Sequence, residues 1–155
     1  MKPNLVFKLV SNSFEAENLR KIRNECREFM TRNTEYISEE DQQKWFLTAH
    51  KKYQLYLLYN IECGVIVDPI GYGLIRTEDT EYLVTGGLTA AARGKGIGQK
   101  LFKFLIDNTK KDKPLRLEVL KSNVSAFNVY KKLGFITTYD NDKLVYMEYK
   151  YDSPI

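Results

Sequence analysis

The fold of this chain is decided by the stretch Tyr82–Gln99, which reads YLVTGGLTAAARGKGIGQ. Its first residues are typical of a strand, a glycine-rich loop follows, and an amphipathic helix opens at Ile97. Alternating glycines let backbone N–H groups converge on an anion, and the helix N-terminus adds a partial positive charge. Arg93 and Lys95 add full charges. The stretch therefore predicts a phosphate or pyrophosphate site.

Two common nucleotide motifs do not fit this loop. A P-loop needs Ser or Thr after Gly-Lys, and here Gly96 follows Lys95. A dinucleotide-binding fingerprint needs a last glycine where this chain has Gln99 or Leu101, depending on the starting glycine. The loop also lies past the midpoint of the chain, whereas that fingerprint usually occupies the first βα turn.

The composition indicates one globular domain and excludes several chemistries. The chain has 155 residues and a net charge of +4, close to the roughly 150 residues typical of one domain. One histidine, His50, and two cysteines, Cys26 and Cys63, are too few for a structural zinc site, so we expect no metal. His50 follows a predicted helix among charged residues and is expected to be a helix-end residue, not a catalytic base. Both cysteines are expected to be free thiols.

The charges and the apolar segments bear on partners and location. Basic residues are interspersed with acids, as in Thr109–Lys113, so we expect no nucleic-acid partner. The N-terminus has no apolar signal core, and the longest apolar run, Leu55–Tyr59, is far shorter than the ~20 residues that span a bilayer. We therefore expect a cytoplasmic protein without a membrane partner.

The periodicity of apolar residues predicts the order β-α-α-β-β-β-β-α-β-α-β-β. Strands are predicted over Leu5–Val10, Tyr53–Tyr59, Val65–Val67, Ile70–Arg76, Tyr82–Leu88, Leu115–Leu120, Phe135–Tyr139 and Leu144–Tyr151. Helices are predicted over Phe14–Cys26, from Ser38 onward, over Ile97–Asn108 and over Ser122–Leu133, with Ser13, Ser38 and Ser122 as N-caps and Gly134 as the stop. Gly86-Gly87 predicts a bulge or a close backbone approach. This order predicts an α/β (α+β mixed) domain with helices on both faces of a mixed sheet.

A second group of residues follows the glycine loop. Glu118 stands between Leu117 and Val119 in a predicted strand, so its side chain points opposite theirs. An acid in an apolar strand is costly unless it is exposed, paired or used. Asn123 and Tyr130 are seven residues apart, which places both on one face of a helix. By periodicity alone, Tyr130 is either a core residue or a functional phenol.

Together these residues resemble the two coenzyme motifs of the GNAT N-acetyltransferase superfamily. Arg93–Gly98 is similar to its R/Q-x-x-G-x-G/A acetyl-CoA loop. Leu117–Phe135 matches its L-E-V-x-x-S-N-x-x-A-x-x-x-Y-x-x-x-G-F stretch. Leu88-Thr89-Ala90 lacks a proline that the family often has there. The resemblance implies a single N-acetyltransferase domain over 1–155, with a mostly antiparallel six- to seven-stranded sheet.

The resemblance also implies roles for individual residues. Acetyl-CoA is the expected cosubstrate, held by the loop, the preceding strand and the following helix through Leu88, Arg93, Gly94, Lys95, Gly96, Gly98 and Asn123. The backbone near Leu88 would bind the pantetheine arm as an added strand does and hold the oxyanion. Tyr130 would donate a proton to the departing thiolate, and Glu118 would act as the base. Glu81 is the alternative base, and a water relay is a third possibility.

The implied reaction is direct acetyl transfer to a primary amine, without a covalent enzyme intermediate. The acceptor is expected to be a small-molecule amine, an amino sugar or a protein N-terminus. Residues expected near it are Arg23, Asn24, Met30, Tyr36, Trp45, Phe46 and Tyr139. The chain is expected to be a monomer or a homodimer. The alternative function is a catalytically silent acetyl-CoA-binding sensor, which the presence of Asn123, Tyr130 and Glu118 disfavours.

Overall fold

The computed structural model describes residues 4–32, 35–49, 51–62, 65–66 and 68–151. The interpretations of His50, Cys63 and Val67 given above lie outside these residues. Within the described ranges, no helix is both long and apolar enough to cross a membrane.

The elements follow the predicted order. The strands are β1 (Leu5–Leu9), β2 (Tyr53–Glu62), β3 (Val65–Ile66), β4 (Gly71–Thr77), β5 (Tyr82–Leu88), β6 (Leu115–Leu120), β7 (Phe135–Asp140) and β8 (Leu144–Tyr149). The helices are α1 (Ser13–Glu25), α2 (Glu39–Ala49), α3 (Ile97–Asp107) and α4 (Val124–Leu133), with 3₁₀ turns at Arg27–Phe29 and Ala90–Ala92. Most boundaries lie close to the prediction, and the largest difference is β2, which runs on past Tyr59 to Glu62.

Seven strands form one mixed sheet in the order β1-β2-β4-β5-β6-β8-β7, and the two-residue strand β3 pairs with the end of β2. The neighbouring strands are antiparallel except β5 and β6, which run parallel. Helix α3 makes the crossover that a parallel pair needs. The predicted mixed, mostly antiparallel sheet is confirmed.

Helices cover both faces of this sheet, as predicted. Helices α1 and α2 lie on one face, and α3 and α4 lie on the other. Strand β6 shows how the sequence assigns side chains to the two faces. Leu115, Leu117 and Val119 are buried in the core under α3 and α4. Because side chains alternate along a strand, Arg116 and Glu118 face the α1/α2 side.

Two helix N-caps differ from the prediction by one residue. Asn12, not Ser13, caps α1, and its Oδ1 accepts a first-turn backbone N–H at 2.8 Å. Asn123, not Ser122, caps α4, and its Oδ1 accepts a first-turn N–H at 3.3 Å. Asn and Ser are both good N-caps. Where the two are adjacent, local preference does not choose between them, and the packing of the helix decides.

The other predicted helix ends are confirmed. Ser38 caps α2, since its Oγ accepts the Asp41 N–H at 3.1 Å. Gly134 ends α4 with a φ of 112°, a backbone conformation that side chains other than glycine rarely adopt.

The paired glycines of β5 mark a close approach, not a bulge. The register between β4 and β5 is continuous. A Cβ at Gly86 would lie 2.8 Å from the Tyr72 carbonyl oxygen, and one at Gly87 would lie 2.8 Å from Cys26 Sγ. Neither position has room for a side chain. Gly87 therefore lets the C-terminal end of α1 pack directly on β5, and Gly86 lets Leu101 of α3 approach the other face.

Candidate active site

The parallel strands β5 and β6 separate soon after they begin. Their pairing covers only Tyr82 with Leu115 and Leu83 with Arg116, although β5 continues to Leu88. The sheet is therefore open between the second half of β5 and β6, on the side where β5 leads into the glycine loop.

The backbone of β5 presents hydrogen-bonding groups to this gap. In an antiparallel ladder, alternate residues of a strand bond to a given neighbour. Thr89 N–H donates to Ile70 O at 2.9 Å. Gly86 and Leu88 have the opposite parity, so their N–H and C=O groups point away from β4 towards the gap. An extended ligand in the gap could bond to them as an added strand does.

The glycine loop stands at the end of this gap. Gly94 and Gly96 have φ values of 75° and 78°, in the left-handed region that favours glycine. A Cβ on either residue would meet no atom within 4 Å, so the space beside the loop is open. No side chain caps the first turn of α3. Its N–H groups are therefore available to an anion, together with the exposed charge of Lys95.

Arg93 ties the loop to the end of β5. Its Nε donates to Leu88 O at 3.1 Å, and its guanidinium lies 4.7 Å from the centre of the Phe29 ring. Cys26 Sγ lies 3.3 Å from the same carbonyl, and burial raises the pKa of this thiol, so it stays protonated and donates. Leu88 O is thus occupied, which leaves the Leu88 N–H for a ligand in the gap.

Tyr130 lies on the buried face of α4 and is 8% exposed. Its ring makes edge-to-face contacts with Phe102 and Phe135, at centroid distances of 4.7 and 5.9 Å. Burial raises the pKa of Tyr130 above its ordinary value, and the Tyr72 phenol raises it further. Tyr130 is therefore a neutral phenol at physiological pH and has a proton to donate.

Tyr72 is a second buried phenol that the sequence analysis did not single out. It lies on β4 between Gly71 and Gly73 and packs in the core under α1 and α2. Burial raises the pKa of Tyr72 to about 12. Gly71 and Gly73 face the opposite side of the strand, where a Cβ would meet Leu88 and Leu105, so the sequence carried no signal for this phenol.

A cavity of about 460 Å³ opens on the α1/α2 face. Its walls come from α1, residues 30–32 and 35–37, α2 and strands β2, β4, β5 and β6. Four of the residues expected near the acceptor line it, namely Arg23, Met30, Tyr36 and Trp45. Further residues that no sequence pattern had indicated also line the cavity, among them Arg32, Asp41, Tyr53, Tyr72 and Arg76.

The other three residues expected near the acceptor, Asn24, Phe46 and Tyr139, are not among the residues that line the cavity. Asn24 holds the backbone of Ile37 in place, since its side chain accepts the Ile37 N–H at 2.7 Å and donates to the Ile37 carbonyl at 2.9 Å. Phe46 packs against the core under α1 and α2. Tyr139 is 61% exposed on the edge strand β7.

Glu118 reaches this cavity from β6, and its side chain is only 9% exposed. Arg32, which also lines the cavity, pairs with it. Arg32 Nε lies 3.0 and 3.2 Å from the two carboxylate oxygens, and Nη2 also contacts Oε1. The hydrogen bond to Glu118 raises the pKa of Arg32. Glu118, the acid in the apolar strand, is thus paired with Arg32. The two residues are 86 positions apart, and no pattern in the sequence indicates this pairing.

Glu81, the alternative base, lies at the start of β5, where β5 and β6 are still paired. Its carboxylate contacts Arg116 Nη1 at 2.9 Å, and Glu148 contacts the same guanidinium at 3.6 Å. Of the two predicted bases, Glu118 is the one that lines the cavity.

Asn123 serves α4 as its N-cap, so its Oδ1 is committed to the backbone. The NH₂ group of its side chain is the part that a ligand could use. In the described part of the chain, no three His, Cys, Asp or Glu side chains are grouped closely enough to hold a metal ion.

Comparisons with known proteins bear on the family and the fold. The family model for the acetyltransferase (GNAT) domain matches residues 21–145. A domain from Methanocaldococcus jannaschii superposes with a TM-score of 0.80 and 15% identity, covering 95% of this chain and 99% of that one. Spermidine N-acetyltransferase from Vibrio cholerae, in complex with CoA and spermine, has a TM-score of 0.76 and 14% identity, with coverages of 93% and 94%. An N-acetyltransferase from Staphylococcus aureus has a TM-score of 0.73 and 17% identity, with coverages of 94% and 97%. No curated protein matches the sequence.

Proposed function

Since the chain belongs to the GNAT acetyltransferase family, we propose that it transfers the acetyl group of acetyl-CoA directly to a primary amine. One observation carries this proposal. The gap between β5 and β6 begins after Leu83 and ends beside the glycine loop. An extended pantetheine with a pyrophosphate at one end requires an open strand edge that leads to an anion-binding loop. The gap beside β5 and the glycine loop at its end have this arrangement.

The residues at this site fit acetyl-CoA, which supplies an activated acetyl group on a thiol leaving group. Gly94, Gly96 and Gly98 leave space for a pyrophosphate, and Lys95 and the first turn of α3 supply positive potential. Arg93 fixes the loop against β5 and adds its charge. In the gap, the backbone at Gly86 and Leu88 orients the arm, and the Asn123 amide group donates to it. The Leu88 N–H is the proposed donor to the thioester carbonyl oxygen.

Tyr130 is the proposed acid. Its phenol is neutral because burial raises its pKa, and a coenzyme thiolate, with an ordinary thiol pKa of about 8.5, is a competent proton acceptor. The edge-to-face contacts with Phe102 and Phe135 fix the ring in position. The proposal requires the hydroxyl of this fixed ring to face the gap.

Glu118 is the proposed base. An amine acceptor is mostly protonated at neutral pH and has to lose a proton before it attacks. Glu118 is the better candidate than Glu81, because it lines the cavity and Glu81 is held by Arg116. Arg32 covers Glu118, so the incoming ammonium takes the place of this guanidinium at the carboxylate. The proton passes to Glu118 directly or through a water.

The cavity on the α1/α2 face is the proposed acceptor site, and residues 1–155 form the single catalytic domain. A volume of about 460 Å³ suits a small-molecule amine or an amino sugar, or the first residues of a protein N-terminus. Among the neighbours of similar fold, the Vibrio cholerae enzyme is named for spermidine and is complexed with spermine.

Thiol release from acetyl-CoA over an amine panel tests the proposed function. The panel covers amino acids, amino sugars, polyamines and short peptides. We expect release that depends on the amine and yields one acetylated product per thiol. Tight binding of acetyl-CoA with no transfer to any member of the panel would instead support a silent coenzyme sensor.

A further inference from the structure

Resting on the acetyl transfer proposed above, we infer that the acceptor carries an anionic group near its amine and that Arg23 binds this group. The anion is a carboxylate or a phosphonate or phosphate ester. Arg23 is then a specificity-determining residue, and the acceptor is zwitterionic and not a polyamine.

Arg23 is a cation at the wall of the acceptor cavity, and the described residues supply no counter-ion for it. It lies in the last turn of α1, and its side chain lines the cavity. Its Nε is buried without a hydrogen-bond partner. Within the described ranges of the chain, none of its guanidinium nitrogens forms a hydrogen bond or an ion pair. Burial lowers the pKa of Arg23, as expected for a charge that the protein does not compensate.

The other two arginines that line the cavity show the contrast. Arg32 is paired with Glu118, and Arg76 is paired with Glu78. Arg23 instead lies over the face of the Trp45 ring, with its guanidinium carbon 5.1 Å from the ring centre. A ring face attracts a cation but offers no acceptor for the forked N–H groups. Buried guanidinium groups are ordinarily paired, so the missing partner is expected to come with the ligand.

The charges around the cavity also give the acceptor a polarity. Glu118 is the carboxylate that receives the amine, and Arg23, on the α1 wall of the same cavity, has no ion-pair partner among the described residues. Glu35 and Asp41 also line the cavity, but both are exposed, so solvent screens their charges more than that of Arg23. An acceptor with an amine and an anion satisfies both groups. A polyamine would bring additional positive charge next to a desolvated guanidinium, where repulsion is stronger than in water. Arg23 therefore selects against polycations as well as for anions.

A matched substrate series tests this inference. L-alanine, L-leucine and L-phenylalanine are each compared with the corresponding amino-acid amide and the corresponding 1-aminoalkylphosphonate, and spermine is added as a polycation. We expect kcat/KM to be at least about tenfold higher for the anionic members than for the amides, with spermine poorest. The phosphonate arm tells a carboxylate-selective site from a site for phosphorus oxyanions. Equal or better use of amides and spermine would overturn the inference.

Variants of Arg23 test whether this residue causes the preference for anionic acceptors. Arg23→Gln should lower kcat/KM for anionic acceptors by about tenfold or more and change that for amides by less than about threefold. Arg23→Lys should retain part of the preference, because it keeps the charge without the fork. Lys21→Gln, which removes a charge from an exposed position on the same helix, is the matched control and should change neither. An equal loss for both acceptor classes in Arg23→Gln would assign Arg23 a merely structural role.

A binding measurement separates this inference from the proposed function. Trp45 is the only tryptophan of the chain and lies against Arg23, so its fluorescence reports occupancy without turnover. The anionic members should change the emission saturably in the wild type and not in Arg23→Gln, and the amides should have little effect. Such binding without transfer to any amine would refute the acetyl transfer and keep the anion site. Acetyl transfer without any preference for anionic acceptors would support the proposed function and refute the anion site.

Discussion

Replacement of Tyr130 by Phe is the sharpest test of the proposed acid. The substitution removes one hydroxyl and keeps the ring that packs edge-to-face with Phe102 and Phe135 at 4.7 and 5.9 Å. The free energy of unfolding should therefore change by less than about 1 kcal/mol, as for a swap that conserves volume in a core. The coenzyme contacts assigned to the loop and to β5 are also untouched.

The expected loss is in kcat. A positioned general acid contributes about 10²- to 10⁴-fold. Because a thiolate with an ordinary thiol pKa of about 8.5 is a good leaving group even without full protonation, we expect the lower end, about 10²-fold or roughly 2.7 kcal/mol in the barrier. The KM for acetyl-CoA should change by less than about threefold, because the lost interaction is made in the transition state.

Steady-state thiol release with varied acetyl-CoA measures both parameters. Tyr139→Phe, at a phenol 61% exposed on β7, is the control and should leave both unchanged. Because burial raises the pKa of Tyr130 above the ordinary value of about 10, the wild type should not lose activity through this acid up to about pH 9.5. A Tyr130→Phe enzyme with kcat within threefold of wild type, or with kcat and KM affected by the same factor, would refute the assigned role.

Three further predictions concern the base, the loop and stability. Glu118→Gln should lower kcat/KM by about 100-fold and Glu81→Gln by little, measured by thiol release; the reverse order would move the base to Glu81. Gly96→Ala should cost roughly 1 kcal/mol in urea unfolding, because a φ of 78° strains alanine, whereas Gly98→Ala, without a positive φ, should not destabilise; equal effects would contradict this account. Burial alone would raise the pKa of Glu15, but hydrogen bonds from Lys8 and Ser11 lower it below its ordinary value. The ionised carboxylate therefore stabilises the folded protein at pH values above the pKa of Glu15 in the unfolded chain, and this stabilisation is lost as the pH falls through the pKa of Glu15 in the folded chain. Glu15→Gln should thus lower the free energy of unfolding by about 2 kcal/mol at pH 7 and by progressively less as the pH falls below about 4, and a pH-independent cost would exclude an ionic contribution.

The order of elements and the sheet class were predictable from the sequence because they depend on patterns within single segments. Apolar side chains in β6 and α3 repeat at periods of 2 and 3.6. The positions of Gly134 and Ser38 follow from local capping chemistry in the same way. Where two residues of equal capping preference are adjacent, as at Ser122 and Asn123, the local signal has no power to choose, and the prediction was wrong by one residue.

The coenzyme half of the site could be predicted from the sequence and the acceptor half could not, because only the first depends on patterns within neighbouring segments. The coenzyme half lies within one continuous strand-loop-helix and the strand and helix that follow, so its residues reach the gap through local geometry. The acceptor half is assembled across the fold: Arg32 meets Glu118 over 86 positions, and Arg23 meets Trp45 only because α1 and α2 pack on the same face. Contacts of that kind leave no periodicity or spacing in a single sequence. The acceptor specificity therefore has to be worked out from the charges that the fold brings together, and among the arginines lining the cavity Arg23 is the one whose counter-ion the described chain does not supply.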